Sequence, residues 1–158
     1  MSLNLKEKQF EQKYHLYSQM LFKISYGYTH NREDAEDVVQ EVFMKYLKKA
    51  PLFLKPHEEK YWLIRVAINE SISLTRKAHK KNVEFDEEIQ YNKSDSQENN
   101  LKLLVMTLPN KIKNAIILYY YNNLSAKEIA SVLKITEAAV MKRMERGRRM
   151  LRELMEEN

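Results

Sequence analysis

The sequence of 158 residues has no cysteine, two glycines and three prolines. Without cysteine it can form neither disulfides nor a reactive thiolate, which fits a reducing compartment. So few glycines and prolines disfavour a sheet with many tight turns and favour an all-α fold. The longest apolar run, residues 115–121, is too short to cross a bilayer, and the N-terminus is too polar for a signal peptide. We therefore expect a cytoplasmic protein with no direct membrane insertion.

The charges fall into three blocks along the chain. Residues 1–81 have a net charge of +5, residues 82–100 of −5, and residues 101–158 of +5. A basic block suggests a polyanionic partner such as DNA, RNA or a membrane surface. A solvated, charge-rich helical surface would give the same numbers, so the charge alone leaves both interpretations open.

Three amphipathic helices are predicted in the first block. The first has apolar residues at spacings of three and four: Phe10, Tyr14, Tyr17, Leu21, Ile24 and Tyr28. Asn31 is a good N-cap for the second helix, which has acids in its first turns and lysines in its last and stops at Pro51. Its predicted buried face is Ala35, Val38, Val39, Val42, Phe43, Tyr46 and Leu47.

The third predicted helix, about residues 58–78, carries two different stripes. Its apolar stripe consists of Tyr61, Ile64, Ile68 and Ile72. A second, mostly polar stripe has the same helical spacing and consists of Trp62, Arg65, Asn69, Ser73, Arg76 and Lys80. Polar residues aligned in this way can all contact one extended partner.

The helical periodicity fails between residues 82 and 100, where a polar, acidic stretch cannot bury a core. We interpret it as a flexible acidic linker, with domain bounds of 5–82, 83–100 and 101–158. Structure is expected to resume near Leu101. Pro109 would then open a further helix that ends at Asn122 and Asn123, which tolerate the left-handed conformation.

Residues 124–154 have the features of a helix-turn-helix. Ser125 and Glu128 form a capping box for a short helix at 126–133, Lys134 and Ile135 form the turn, and Thr136 caps a long helix. The inner stripe of that helix would be Val140, Met144, Gly147, Leu151 and Leu154, with basic residues on its other faces. A long basic helix after a short one suits the DNA major groove. A plain helical hairpin is the alternative, but these caps, turn and apolar contacts in order favour DNA binding.

Three segments carry a resemblance to bacterial RNA polymerase sigma factors. Residues 124–151 resemble the region 4 helix-turn-helix, although response regulators use similar segments. Residues 31–43 (NREDAEDVVQEVF) resemble region 2 where it binds the polymerase clamp, and residues 61–69 (YWLIRVAIN) resemble the part of region 2 at the −10 element. With no room for regions 1 or 3, the chain resembles the small extracytoplasmic-function (ECF) group.

The resemblance implies a role for each segment. The residues that would bind core polymerase, at its clamp coiled coil, are Asp34, Asp37, Gln40 and Glu41. Those for −10 DNA are Arg65, Asn69, Ser73, Arg76, Lys77 and Lys80, with Asn69 near a flipped base. Those for −35 DNA are Ala138, Lys142, Arg143, Glu145, Arg146 and Arg149. The polymerase flap and an anti-sigma factor are further expected partners.

Some of these residues can also be explained without a binding partner. Helix-dipole stabilisation accounts for Asp34 but poorly for Glu41, which repels Asp37 four positions earlier. An asparagine such as Asn69 can also be satisfied within its own helix.

The chain departs from the family pattern at a few positions. Lys134 stands where a turn glycine is usual, Met141 where a basic residue is common, and Glu145 at a DNA-facing position. Glu59 stands where an aromatic residue is usual, next to the loop before the third helix.

Two other functions are compatible with parts of the sequence. A transcriptional regulator could bind duplex DNA through the helix-turn-helix without any polymerase. A metal-dependent or hydrolytic enzyme is disfavoured, because the four histidines stand alone without metal-ligand spacing or a nucleophile motif: His15, His30, His57 and His79. We therefore expect no metal, no cofactor and no catalytic residue.

Overall fold

The computed structural model describes residues 2–81 and 97–157, and all regular structure in these two ranges is α-helical. The helices are α1 (Ser2–Thr29), α2 (Arg32–Lys49), α3 (Pro56–Lys81), α4 (Gln97–Met106), α5 (Asn110–Tyr120), α6 (Ala126–Leu133) and α7 (Glu137–Glu157). The all-α fold predicted from the sequence is confirmed.

Helices α1, α2 and α3 pack against one another and form the N-terminal bundle. Its core includes Leu21 and Ile24 of α1, Val42 of α2 and Ile64 of α3, all fully buried. Aromatic rings extend the contact between α2 and α3, because Tyr46 packs edge-on against Trp62 with ring centroids 6.3 Å apart. Trp62 thus packs on the bundle core.

Two predicted faces in this bundle need correction. Leu47 is 65% exposed rather than buried, because its neighbour Tyr46 takes the inward position on α2. On α3 the buried set also includes Leu63 and Ala67, which the predicted stripe missed. The stripe is wider than predicted because α3 contacts three helices, namely α1, α2 and α6.

The unusual Glu59 lies near the start of α3 and joins all three helices of the bundle. Its carboxylate pairs with Lys13 Nζ of α1 at 2.7 Å and accepts a hydrogen bond from Tyr46 Oη of α2 at 2.9 Å. The hydrogen bond to Glu59 raises the pKa of Lys13. Burial, reinforced by Glu59, raises the pKa of Tyr46 to about 12. Polar contacts around the buried Glu59 therefore link the three helices of the bundle.

Helices α4 to α7 form a second group, the C-terminal domain. Helix α4 begins at Gln97, so the predicted linker at 83–100 is too long by one helical turn. Asn100, in that first turn of α4, is buried. The rest of the predicted linker lies outside the described residues.

The helix-turn-helix forms where it was predicted. Ser125 Oγ accepts from Glu128 N at 3.1 Å, and Glu128 Oε1 accepts from Ser125 N at 3.2 Å, which completes the capping box. Lys134 ends α6 in the left-handed conformation, with φ 59° and ψ 45°. Thr136 Oγ1 then accepts from Ala139 N at 3.0 Å and caps α7.

Gly147 lets α7 cross α5 at close range. A Cβ atom at this position would lie 2.8 Å from Ile116 Cδ1 and 2.9 Å from Ile112 Cγ2. The predicted inner stripe of α7 is otherwise buried, apart from Leu154 at its end, which is half-buried. This crossing fixes the direction in which the outer face of α7 points.

The C-terminal domain packs against the N-terminal bundle. Helix α1 contacts α4 and α5, and α3 contacts α6. The buried Tyr28 donates its hydroxyl to Asn114 Oδ1 of α5, and Lys113 Nζ lies 5.3 Å from the centre of the Tyr28 ring. Arg65 Nη1 of α3 donates to the carbonyl oxygen of Val132 in α6 at 3.3 Å. We call these contacts the interdomain contact.

Candidate nucleic-acid interface

The acidic residues of α2 form an exposed patch. Asn31 Oδ1 accepts from Asp34 N at 2.9 Å, which fixes the start of the helix. Asp37 and Gln40 are exposed and Glu41 is partly exposed. Within the described ranges no ion pair involves Asp37 or Glu41. Their repulsion is therefore not relieved by those residues, and a basic partner would relieve it.

The polar stripe of α3 is only partly free. Asn69 and Arg76 are exposed, and Ser73 is half-buried. Arg65 is instead held against α6 by its bond to the Val132 carbonyl. Two further residues of the predicted set lie towards the end of α3: Lys77, which is exposed, and Lys80, whose side chain lies outside the described residues.

The outer face of α7 carries most of the residues predicted to meet −35 DNA. The exposed ones are Ala138, Lys142, Glu145, Arg146 and Arg149. Arg143 is half-buried, and its Nη1 lies 3.5 Å from the carbonyl oxygen of Lys111 on α5. Glu145 Oε1 pairs with Arg149 Nη2 at 3.4 Å, so the atypical acid partly neutralises one of the cations.

Comparisons with known proteins agree with this arrangement. The family model described as Sigma-70 region 2 matches residues 14–81, and that described as Sigma-70, region 4 matches residues 98–151. The chain belongs to the sigma-70 family. Its relatives place it among the ECF sigma factors, which bind core RNA polymerase and direct promoter recognition and transcription initiation.

This chain aligns with individual sigma factors over most of its length. It is 28% identical to RNA polymerase sigma factor SigV of Bacillus subtilis over 86% of this chain and 84% of that protein. It is 29% identical to ECF RNA polymerase sigma factor SigM of the same organism over 89% and 91%. Among solved structures it resembles sigma factor RpoE from Bartonella quintana, in complex with the anti-sigma factor NepR. The TM-score is 0.70 and the identity 26%, over 94% and 98% of the two chains.

A groove that was not predicted from the sequence lies between the two domains of this sigma factor. Its volume is about 760 Å³ and it lies between α1, α4, α5 and α7. Apolar and aromatic side chains form most of its lining, and its charged residues are all cationic: Lys23, Lys102, Arg148 and Arg152. No local sequence pattern predicts this groove, because each helix contributes only a few residues to its lining.

His30 lies in the same groove, at the end of α1, with a left-handed φ of 48°. Its ring packs 5.2 Å from that of Tyr26. Burial, and to a lesser degree the charge of Lys102 on α4, lowers the pKa of His30 below its usual value. A protonated His30 is therefore disfavoured in this packing.

A second feature missed from the sequence is the exposure of two leucines in the loop before α3. Leu52 and Leu54 are 91% and 84% exposed there.

Among residues 2–81 and 97–157 no group of His, Cys, Asp or Glu could hold a metal ion. None of the helices in those ranges is long and apolar enough to span a bilayer.

Proposed function

We propose that the two domains of this sigma factor divide promoter recognition between them. Residues 5–82 bind core polymerase through α2 and the −10 element through α3. Residues 101–158 bind the −35 element through α7 and contact the polymerase flap. The observation that supports this best is the separation of one acidic face, on α2, from the mainly polar or basic faces of α3 and α7. Each face fits a different partner by charge.

The acidic patch of α2 is the proposed clamp site. Reversing its charge with the double substitution Asp37→Lys and Glu41→Lys should abolish retention of core polymerase in a pull-down. Glu7→Lys with Glu11→Lys is the matched control, because it has the same charge change and spacing on the exposed face of α1. Equal retention of core by both double variants would rule out the patch.

Asn69 is the proposed base-reading residue of α3. Its exposed amide offers a donor and an acceptor, and a good amide contact to a base is worth about 1–3 kcal/mol. Asn69→Ala should therefore weaken holoenzyme binding to DNA opened at −10 by about 5- to 150-fold. Asn110→Ala, an exposed asparagine on α5, is the control. Unchanged DNA binding by Asn69→Ala would show that Asn69 does not contact a base and has only a structural role.

The exposed cations of α7 are proposed to contact phosphates as well as bases. Each phosphate contact that is removed should lower the slope of log affinity against log salt by about 0.9. We expect this change for Lys142→Ala, Arg146→Ala and Arg149→Ala, and no change for Lys8→Ala on the remote helix α1. An altered sequence preference with an unchanged slope would identify a base contact instead.

The protein itself is proposed to be non-catalytic and to act in the cytoplasm. Both follow from its role as an initiation subunit, because core polymerase forms the RNA chain and works where the chromosome lies. Nucleotide incorporation by the purified chain in the absence of core enzyme would contradict the first point. Fractionation of the chain with the cell envelope rather than with polymerase would contradict the second.

An anti-sigma protein is also proposed, and the similar RpoE structure in complex with NepR supports it. The groove between the domains would suit an acidic amphipathic helix, because its lining is apolar and its charges are all cationic. An inhibitor of transcription that binds there should lose its effect against Met155→Glu, which adds an acid to the groove. Full inhibition of that variant would place the anti-sigma site elsewhere.

A further inference from the structure

Two residues on the outer face of α7 differ in chemistry from the cations around them. Glu145 is the single acid within residues 138–149, and Met141 is an apolar side chain that is 53% exposed. The two positions are four apart, so they lie beside each other on the surface of the helix. Both lie outside the buried stripe that includes Val140 and Met144. Their side chains are therefore available to a partner of α7.

The carboxylate of Glu145 is oriented by a neighbouring cation. Its Oε1 lies 3.4 Å from Arg149 Nη2, and the two side chains are 72% and 64% exposed. An ion pair this exposed contributes little to stability, because water and salt screen it. An ionised carboxylate can only accept hydrogen bonds, and it repels a phosphate. On a helix that meets DNA, Glu145 therefore fits a hydrogen-bond donor on a base.

The chemistry of the major groove selects a base for each of the two residues. Only cytosine and adenine present an amino donor there, and adenine places the acceptor N7 beside it. Cytosine has no such acceptor at its edge, so it suits the carboxylate of Glu145 better. Thymine presents a methyl group that apolar side chains contact, which suits the exposed Met141.

We propose that Met141 contacts a thymine and Glu145 a cytosine at neighbouring positions of the −35 element. This inference rests on the proposed assignment of α7 to that element. Residues four apart are separated by about 6 Å along a helix, and base pairs stack about 3.4 Å apart, so the two bases lie within about two base pairs. Lys142 and Arg146 would supply affinity through phosphates, whereas Met141 and Glu145 supply the sequence preference.

Transcription by the holoenzyme from a promoter library randomised across the −35 element tests the role of Glu145. Transcripts made with the wild-type chain should be enriched for a thymine and a cytosine within two base pairs of each other. Glu145→Gln should change the preferred cytosine to adenine, because glutamine bonds adenine N6 and N7, and relative yields should shift by at least about fivefold. Glu153→Gln is the matched control, because Glu153 is an exposed glutamate further along α7 and its loss should keep the cytosine.

Removal of one methyl group from the DNA tests the role of Met141. Replacing the selected thymine by uracil deletes the methyl group and leaves every hydrogen-bonding group in place. This change should weaken promoter binding by the wild-type holoenzyme by about fourfold, and Met141→Ala should lose most of that sensitivity. Met141→Arg should instead prefer guanine at the same position, because arginine bonds guanine O6 and N7.

Each residue can fail its own test. A cytosine preference that survives in Glu145→Gln would overturn the proposal for Glu145 and leave it as half of a surface ion pair. Equal sensitivity to uracil in the wild type and in Met141→Ala would overturn the proposal for Met141. A holoenzyme that transcribes the library without regard to the −35 sequence would refute the proposed role of α7 itself.

Discussion

Lys134 is the residue whose replacement gives the sharpest test of the helix-turn-helix geometry. It ends α6 with φ 59° and ψ 45°, a conformation that costs a residue with a Cβ atom about 1–2 kcal/mol. Glycine avoids that cost, but it lowers the free energy of unfolding by about 0.4–1 kcal/mol because it gives the unfolded chain more conformational entropy. Because the Lys134 side chain is exposed, no packing is lost. Lys134→Gly should therefore stabilise the protein by about 0.5–1 kcal/mol.

Thermal unfolding followed by circular dichroism measures this effect. The gain corresponds to a rise in Tm of about 1–4 °C for a chain of this size. Lys127→Gly is the matched control, because Lys127 is an exposed lysine within α6 itself, where glycine should cost about 0.5–1 kcal/mol. A lower Tm for Lys134→Gly, or the same change in both variants, would refute the strain argument.

Three further predictions concern stability. Gly147→Val should cost about 1–3 kcal/mol through overpacking against α5, whereas Met141→Val on the exposed face should cost little; equal losses would contradict the close crossing. Glu59→Gln should lower the free energy of unfolding by about 1–2 kcal/mol in urea titrations, between the values of exposed and buried pairs. Because the pKa of Lys13 is raised, the ion pair between Lys13 and Glu59 stays charged at every pH below 10.5. A loss of stability in Glu59→Gln that is seen only above pH 10.5 would contradict this prediction. Because the pKa of His30 is lowered from 6.5, protonation favours the unfolded chain, and stability should fall as the pH drops below 6.5. His30→Asn should flatten that pH dependence, and an unchanged pH profile would exclude His30 as its source.

Local signals in the sequence predicted the local structure well. Three features each depend on a few adjacent residues and were predicted from them: the capping box of Ser125 and Glu128, the turn at Lys134 and the cap at Thr136. The family comparison and the helices agree with that interpretation. The roles of the individual DNA-facing residues stay predictions.

Contacts between distant segments were not predictable in the same way. Leu47 follows the apolar period of α2, yet it is exposed because Tyr46 takes the inward position. The hydrogen bond from Arg65 to the Val132 carbonyl joins residues far apart in sequence, and no sequence pattern around either residue predicts the other as its partner. Two separately folded domains were expected, whereas their packing depends on shape and hydrogen bonding that periodicity does not encode.

The sigma-factor function is best tested by run-off transcription on fragments of the native chromosome with purified core polymerase. We expect discrete transcripts that require the chain. These transcripts should be lost when Asp37→Lys and Glu41→Lys are combined, while the control Glu7→Lys with Glu11→Lys stays active. A chain that binds duplex DNA unaided, but neither associates with core polymerase nor starts any transcript, would contradict it. Such a result would describe a helix-turn-helix regulator rather than a sigma factor.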